Sequence, residues 1–368
     1  MKTYFVAYDY VHPNQAVNFT EKFLNFPQQR TAYMLGQKDE LPYFNIFNEP
    51  LLTLDTLYDY IVQVIENTSE KSGWNLDDLQ QIPIMLGSTS YVISDCEYRF
   101  MHNQSLPNEY TLTLIADRLQ QKYQTDVFSF VTSCTSAAQG IQSAYQMIQN
   151  GFCDKALVVG FEMFNRLTFE HFHSMHLLAQ DASYLPFIQS NGLILGEAMA
   201  CVALSNQPHS DFQCEICHIT SVTDSESLTN DSEQALQKLF SKTINNSQIE
   251  PRNIQAVKVH GVGGMSDEME IQLLKQYFPE SKWIMAKPYL GHTLGASGAI
   301  ETAFLLECLQ QGKLPDLPHS NKLQNKNLQK YKHNLPLAQG KNLKNGYYFN
   351  YFLGFGGNNV AWILDWKH

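Results

Sequence analysis

A cysteine at position 134 stands where a strand-like run gives way to small residues and then to a helical stripe: Phe128-Ser129-Phe130-Val131-Thr132-Ser133-Cys134-Thr135-Ser136-Ala137-Ala138. A thiol at or near a helix start is stabilised as the thiolate by the helix dipole and by backbone N–H groups. That is the layout of a nucleophile elbow, though without the G-x-S-x-G of serine hydrolases. The competing reading is a small buried thiol, the commoner fate of a lone cysteine. Two histidines lie on glycine-rich turns. His260 ends Val257-Lys258-Val259-His260 and is followed by Gly261-Val262-Gly263-Gly264, Asp267 and Glu270. His292 lies in Lys287-Pro288-Tyr289-Leu290-Gly291-His292-Thr293-Leu294-Gly295-Ala296-Ser297-Gly298, just ahead of an apolar helical run, Ala299 to Leu309. Near the C-terminus, Gly354-Phe355-Gly356-Gly357-Asn358-Asn359 separates two strand-like runs. Taken singly, each has an ordinary structural explanation, a core histidine at a strand end or a β-turn.

The elements that must position these groups are readable as alternating strands and helices. β-Branched and aromatic runs predict strands at Thr3–Tyr8, Ile82–Leu86, Val127–Phe130, Ala156–Val159, Leu193–Leu204, Ile254–Val259 and Tyr347–Leu353. After Cys134, the positions Ala137, Ile141, Ala144, Tyr145 and Ile148 fall on one helical face, and Gly151 occupies the place of a terminating glycine. Residues 232–247 and 267–277 also read as helices. The alternation predicts an α/β fold with buried sheets. The order of elements recurs before and after about residue 205, with the Ser205–Ser210 stretch as the joint. Two halves, 1–205 carrying the cysteine and 206–368 carrying both histidines and the glycine turn, are expected, without a close internal sequence repeat.

A cysteine elbow, then HG-x-G, then K-x-x-x-x-H with GHT-x-GA-x-G, then GFGG-x-N, taken in this order and spacing, resembles the β-ketoacyl-acyl-carrier-protein synthases, condensing enzymes of the thiolase superfamily. The resemblance covers the chain from about residue 80 and is clearest from 128 onward. It implies a thiolase-like five-layered αβαβα sandwich of two duplicated halves, and dimers whose nucleophile strands meet at the interface. It further implies that Cys134 accepts the acyl group and that His260 and His292 complete a Cys-His-His set. By the same resemblance Glu270 pairs with Lys287, and Phe355 is a gating residue whose N–H joins that of Cys134 in an oxyanion hole. No cofactor is implied, because substrates arrive on the phosphopantetheine of an acyl carrier protein. The activity implied is decarboxylative condensation of an acyl chain with a malonyl thioester.

The pattern departs from the family at Val262 and Gly264, where threonine hydroxyls usually hold the pantetheine arm. The acidic pair Asp267 and Glu270 also lies one residue closer to the histidine. Gln189-Ser190-Asn191-Gly192-Leu193 replaces an R-D-G-F string, and Gly196-Glu197-Ala198-Met199-Ala200 replaces a glycine-rich one. Two roles within the family therefore stay open. One is a ketosynthase-type subunit; the other is a chain-length-factor partner that shapes the acyl tunnel of a heterodimer, in polyketide or aryl-polyene assembly more than in housekeeping fatty-acid synthesis. A non-catalytic scaffold with a relict fold is the reading from another class.

Composition excludes several alternatives. Hydrophobic residues make up 44% of 368, enough for a large core, so a disordered chain is excluded. Asp and Glu outnumber Lys and Arg by 36 to 25, which argues against sequence-independent nucleic-acid binding. No apolar run is long enough to span a bilayer, and the N-terminus reads as a strand rather than a signal peptide. Seven irregularly spaced cysteines then suggest reduced thiols and a cytoplasmic location. Residues 317–349 carry six lysines and no acid, so Lys326, Lys330 and Lys332 are candidates for docking an acidic carrier protein, against the plainer reading of a solvated loop. Cys214-x-x-Cys217-His218 matches a haem-attachment string but sits in an apparent strand, and is read as coincidence. His171, His173 and His176 are read as interface and tunnel wall, with no metal.

Overall fold

The computed structural model describes residues 1–12, 27–34, 36–108, 110–188, 191–209, 212–224, 232–315, 334 and 343–367. The first half runs β1 (Tyr4–Tyr10), β2 (Gln28–Met34), β3 (Gln37–Tyr43), α1 (Leu54–Lys71), β4 (Ile84–Gly87), α2 (Ile93–Met101), α3 (Leu114–Tyr123), β5 (Val127–Phe130), α4 (Ser136–Gln149), β6 (Lys155–Glu162), α5 (Arg166–Ser174) and β7 (Ala198–Ser205). The second runs β8 (Gln213–Thr223), α6 (Glu233–Ser247), β9 (Ile254–Lys258), α7 (Asp267–Tyr277), β10 (Lys282–Ile284), α8 (Lys287–Leu290), α9 (Ser297–Gln310), β11 (Gly346–Phe352) and β12 (Asn358–Lys367).

The ten strands other than β2 and β3 form one mixed sheet, in the order β10-β9-β11-β12-β8-β1-β7-β6-β4-β5. Its two halves repeat one pattern. In the first, β1 pairs antiparallel with β7 and β7 with β6, while β6–β4 and β4–β5 are parallel. In the second, β8–β12 and β12–β11 are antiparallel, and β11–β9 and β9–β10 are parallel. The halves are stitched by a two-residue antiparallel contact, Tyr4 to Glu215 and Phe5 to Cys214.

Helices fill the space between and outside these halves. α4 presents Ala137, Ile141, Ala144 and Ile148, all buried, and packs on β4, β5 and β6 on one side and β8 and β12 on the other. Each such Ile side chain, fully removed from water, contributes about 1.5–3 kcal/mol. α9 packs on α4, β1, β6 and β7 and is buried nearly all round, as its mainly apolar sequence, broken by the buried Glu301 and Thr302, suits a central helix. α1 covers the other face of β1 and β7, and α6 the other face of β8 and β12. The layers run helix, half-sheet, helix, half-sheet, helix, a thiolase-like α/β arrangement in which the two halves of one large sheet supply both strand layers.

Each central helix starts the same way. A 3₁₀ turn, Ser133–Thr135 or Leu294–Ala296, leads straight into a 14-residue helix. Each turn opens on a residue with positive φ, Ser133 at 55° and Leu294 at 45°. Gly298, in the first turn of α9, lets the two helix starts touch: a Cβ there would lie 2.1 Å from the backbone nitrogen of Ala138.

The predicted strand Leu193–Leu204 is shorter than expected. Only Ala198–Ser205 joins the ladder. Residues just before it make single bridges instead, Leu195 to His292 and Gly196 to Phe44. The separate hairpin of β2 and β3 had no clear sequence signal.

Candidate active site

The chain leaves β5 and turns sharply at Ser133. Hydroxyls at the turn fasten it: Thr135 Oγ1 donates to the Thr132 carbonyl at 2.8 Å, and Ser136 Oγ to that of Ser133 at 2.7 Å. The Thr132 N–H donates in turn to Ser136 Oγ at 3.0 Å. Cys134 lies inside this turn, 5% exposed. All seven cysteines are thiols. Burial pushes the Cys201 thiol up to about 12 and Cys214 well above its ordinary value.

His260 follows β9 directly. His292 is held by main-chain bonds to the 194–196 segment: its N–H donates to the Ile194 carbonyl at 2.7 Å, and its carbonyl accepts from the Gly196 N–H at 3.1 Å. The two imidazole rings are perpendicular, 5.7 Å between centroids. Cys134, His260 and His292 line one cavity of about 520 Å³, whose exposed lining is mainly apolar. Burial first, and Lys287 second, push both imidazoles down, His292 to about 3 and His260 far below its ordinary value. Both rings are therefore neutral at physiological pH.

Their tautomers follow from the bonds on the other nitrogen. His292 Nδ1 accepts the Leu294 N–H at 3.1 Å, and His260 Nδ1 lies 3.5 Å from the Leu353 N–H. A neutral imidazole that accepts at Nδ1 carries its proton on Nε2. The site thus offers two neutral N–H donors beside a thiol, the equipment for holding a developing oxyanion or enolate without donating a full proton.

Behind the histidines lies a buried ionic cluster, and it corrects one expectation. Lys287 Nζ pairs with Glu301 Oε1 at 2.7 Å, not with Glu270. The other oxygen of Glu301 takes Lys258 Nζ at 2.6 Å. Burial alone would raise the Glu301 carboxyl, but the two ammoniums hold it below its usual value. Glu270 instead serves the glycine loop, accepting from the Gly261 N–H at 3.1 Å and the Tyr351 hydroxyl at 2.6 Å. Asp267 works beside it, accepting the N–H groups of Val262, Gly263 and Phe187. The acidic pair closes on its own loop because α7 begins immediately after it. Glu301 reaches Lys287 because it projects one turn into α9. Neither Glu301 nor Lys258 was singled out from sequence, yet each carries a signal: a charge inside an apolar run is paired when buried.

Phe355 lies at the cavity with its ring stacked on Phe172, 5.9 Å between centroids and 7° between planes. His176 lines the same cavity. His173 contacts Asp39 on β3 at 2.9 Å. Among the described residues, no group of three His, Cys, Asp or Glu side chains could hold a metal. Cys214, Cys217 and His218 all lie within β8. Lys326, Lys330 and Lys332 lie outside the described residues.

Comparison with known proteins agrees with this geometry. Residues 37–209 match the model of the beta-ketoacyl synthase N-terminal domain, and residues 214–321 that of the C-terminal domain. The non-reducing polyketide synthase subA of Metarhizium robertsii is 26% identical over 62% of the chain and 12% of its own length. The highly reducing polyketide synthase alnA of Emericella nidulans is 27% identical over 92% of the chain and 15% of its own. The chain thus spans only a small part of the curated relatives it matches. Among solved structures, the ketosynthase ApeO in complex with its chain length factor ApeC from Xenorhabdus doucetiae superposes with a TM-score of 0.81, at 18% identity, over 100% of this chain and 98% of that one. The ishigamide ketosynthase/chain length factor gives 0.80 at 16% identity, over 100% and 99%.

Proposed function

The chain belongs to the β-ketoacyl synthase family of condensing enzymes, and from that premise we propose that it joins an acyl group to a malonyl thioester carried on an acyl carrier protein. The observation that carries this reading is the convergence of Cys134 and two neutral, Nε2-protonated imidazoles on one apolar cavity. In the first half-reaction the Cys134 thiolate attacks the acyl thioester carbonyl. The carrier's sulfur leaves with its electron pair and takes up a proton, and the acyl group stays on Sγ. Exchange between sulfurs is nearly balanced in energy, so the enzyme has only to position the groups.

In the second half-reaction the bond between malonyl carboxylate and α-carbon breaks. CO₂ leaves, and its bonding pair becomes an enolate whose oxygen accepts from Nε2–H of His260 and His292. The α-carbon then attacks the Cys134 thioester, the C–S bond breaks, and the thiolate returns. The backbone N–H groups of Cys134 and Phe355 are the proposed donors to the tetrahedral oxyanion. Losing one such donor costs about 10²–10³ in rate. The Phe355 ring, stacked on Phe172 at the cavity, is the proposed gate for the acyl chain.

The departures at Val262 and Gly264 favour work alongside a partner. With no hydroxyl at either position, the pantetheine arm finds fewer bonds here, and Met265 at the cavity rim is 89% exposed. A heterodimer with a more typical ketosynthase, in the manner of a chain-length-factor pair, accommodates both features.

Intact-mass analysis after incubation with an acyl carrier thioester tests the chemistry. An acyl adduct is expected that Cys134→Ala abolishes. His260→Ala and His292→Ala are expected to keep the adduct and lose release of CO₂ from malonyl thioester by at least about a hundredfold, because the enolate exists only in that half-reaction. No adduct on Cys134, or decarboxylation untouched by both histidine changes, overturns the proposal.

A further inference from the structure

Glu162 ends β6 in the first half, and its side chain is buried. Among the described residues, its carboxylate is held by donors from both halves. Oε1 accepts the Ser90 hydroxyl, and Oε2 accepts the N–H groups of Thr89 at 2.9 Å and Gly295 at 3.1 Å. Thr89 and Ser90 follow β4, whereas Gly295 belongs to the turn that opens α9. One carboxylate therefore clamps a loop of the first half to a turn of the second.

The clamped turn is the one that orients His292. Gly295 follows Leu294, whose N–H donates to His292 Nδ1 at 3.1 Å. Leu294 has φ 45°, in the left-handed region that residues other than glycine seldom occupy. A residue stays there when its surroundings fix the backbone on both sides. Here the amide before its side chain is spent on the imidazole, and the amide after it on Glu162. The turn's own bond, from the Ala296 N–H to the Thr293 carbonyl at 3.0 Å, does not reach the first half. An apolar side chain in place of Glu162 would fill the same space, but it would leave the Gly295 N–H buried without its acceptor.

Building on the condensing role, we propose that Glu162 is a positioning residue for the enolate-forming step: by holding the Gly295 N–H it keeps the Leu294 N–H on Nδ1 of His292, and so keeps the imidazole proton on Nε2, where the enolate oxygen forms. Glu162 touches no substrate and acts through the turn. A ring released from Leu294 can carry its proton on Nδ1 instead, and then presents a lone pair at Nε2, which repels the anion. An imidazole of the second half thus takes its tautomer from a carboxylate of the first.

The test uses the whole protein and three variants. Glu162→Met keeps the length of the side chain and removes both acceptor oxygens. Glu162→Asp keeps the charge but draws it back from Gly295 by one methylene. Glu162→Gln keeps an oxygen that can accept both amides, with its NH₂ towards the Ser90 oxygen. NMR of ¹⁵N-histidine-labelled protein reads the tautomer without turnover. Wild-type His292 is expected as the Nε2–H form alone. Glu162→Met and Glu162→Asp are expected to give a mixture of tautomers at His292, while His260, whose Nδ1 faces Leu353, keeps its signal. Malonyl-thioester decarboxylation in both is expected to fall about tenfold in kcat with KM unchanged, less than for loss of a direct donor, while acylation of Cys134 proceeds as before. Glu162→Gln is expected to recover the single tautomer and most of the rate. Should Glu162→Met fail to fold, Glu162→Asp supplies both readouts. A His292 that stays wholly Nε2–H without the acceptor overturns the proposal. So does an equal loss in both half-reactions, or a Glu162→Gln no better than Glu162→Met. Wild-type protein that releases no CO₂ from malonyl thioesters defeats the condensing role instead, and the tautomer of His292 still decides the part played by Glu162.

Discussion

Protonating either imidazole would bring a charge into a buried site already facing Lys287, and this has a measurable effect on stability. An unfolded histidine takes up a proton near pH 6.5; in the folded chain burial lowers His292 to about 3 and holds His260 well below its ordinary value. Above pH 6.5 neither state binds the proton, and the folded chain keeps its full stability. As pH falls below 6.5 the unfolded chain gains protons that the folded one refuses, so stability drops. Each of the two histidines contributes about 1.4 kcal/mol per pH unit to that drop. Urea melts between pH 6.5 and 5 are expected to show it, and His292→Gln to remove one such increment from the slope. The histidines and Cys134 were legible from sequence because each stands in a short string of small residues. The pairing of Lys287 was not: its partner lies inside an apolar helix, and Lys258 lies 43 residues before that partner in the chain. Only folding brings them together.

At the scale of elements, the site depends on how closely two helix starts approach. With a Cβ on residue 298 only 2.1 Å from the Ala138 nitrogen, and backbone rather than a movable side chain in the way, α4 and α9 would have to separate. Gly298→Ala is expected to cost about 3 kcal/mol or more, or to prevent folding, as read by chemical denaturation and soluble yield. Strands were the better-read elements, since each of the seven predicted runs meets an observed strand; among helices, α4, α6 and α7 declare themselves through apolar spacing and α9 through a mainly apolar run, while α1 passed unread. The β2–β3 hairpin was unreadable because Gln28–Met34 and Gln37–Tyr43 are largely polar and lack strand alternation. Residues 193–197 looked like strand because they are apolar, but their backbone is spent on bridges to His292 and Phe44, which help to position the site.

For the whole molecule, β5 ends the strand order, so one side of it has no strand neighbour among the described residues. Phe128 and Val131 on and beside it are exposed, six and three residues from Cys134 respectively. An edge of this kind invites pairing with another chain. Phe128→Lys with Val131→Lys is expected to lower the assembly state, measured by light scattering, while leaving the core folded by circular dichroism; an unchanged mass would place the interface elsewhere. The recurrence of elements was visible in the sequence, but the continuous sheet was not, because it rests on two residue pairs between β1 and β8. That recurrence also reaches the chemistry. The turn at Ser133 and the turn at Leu294 are counterparts, so Cys134 has Gly295 as its opposite number. Gly295 has no room for a side chain, since a Cβ would meet the Ser88 backbone at 2.5 Å. Symmetry of architecture therefore ends in division of labour: one half supplies the thiol, the other both imidazoles. In the condensing role proposed above, neither half would suffice alone, for one would hold an acyl group with no means to extend it and the other would stabilise an enolate with nothing to attack.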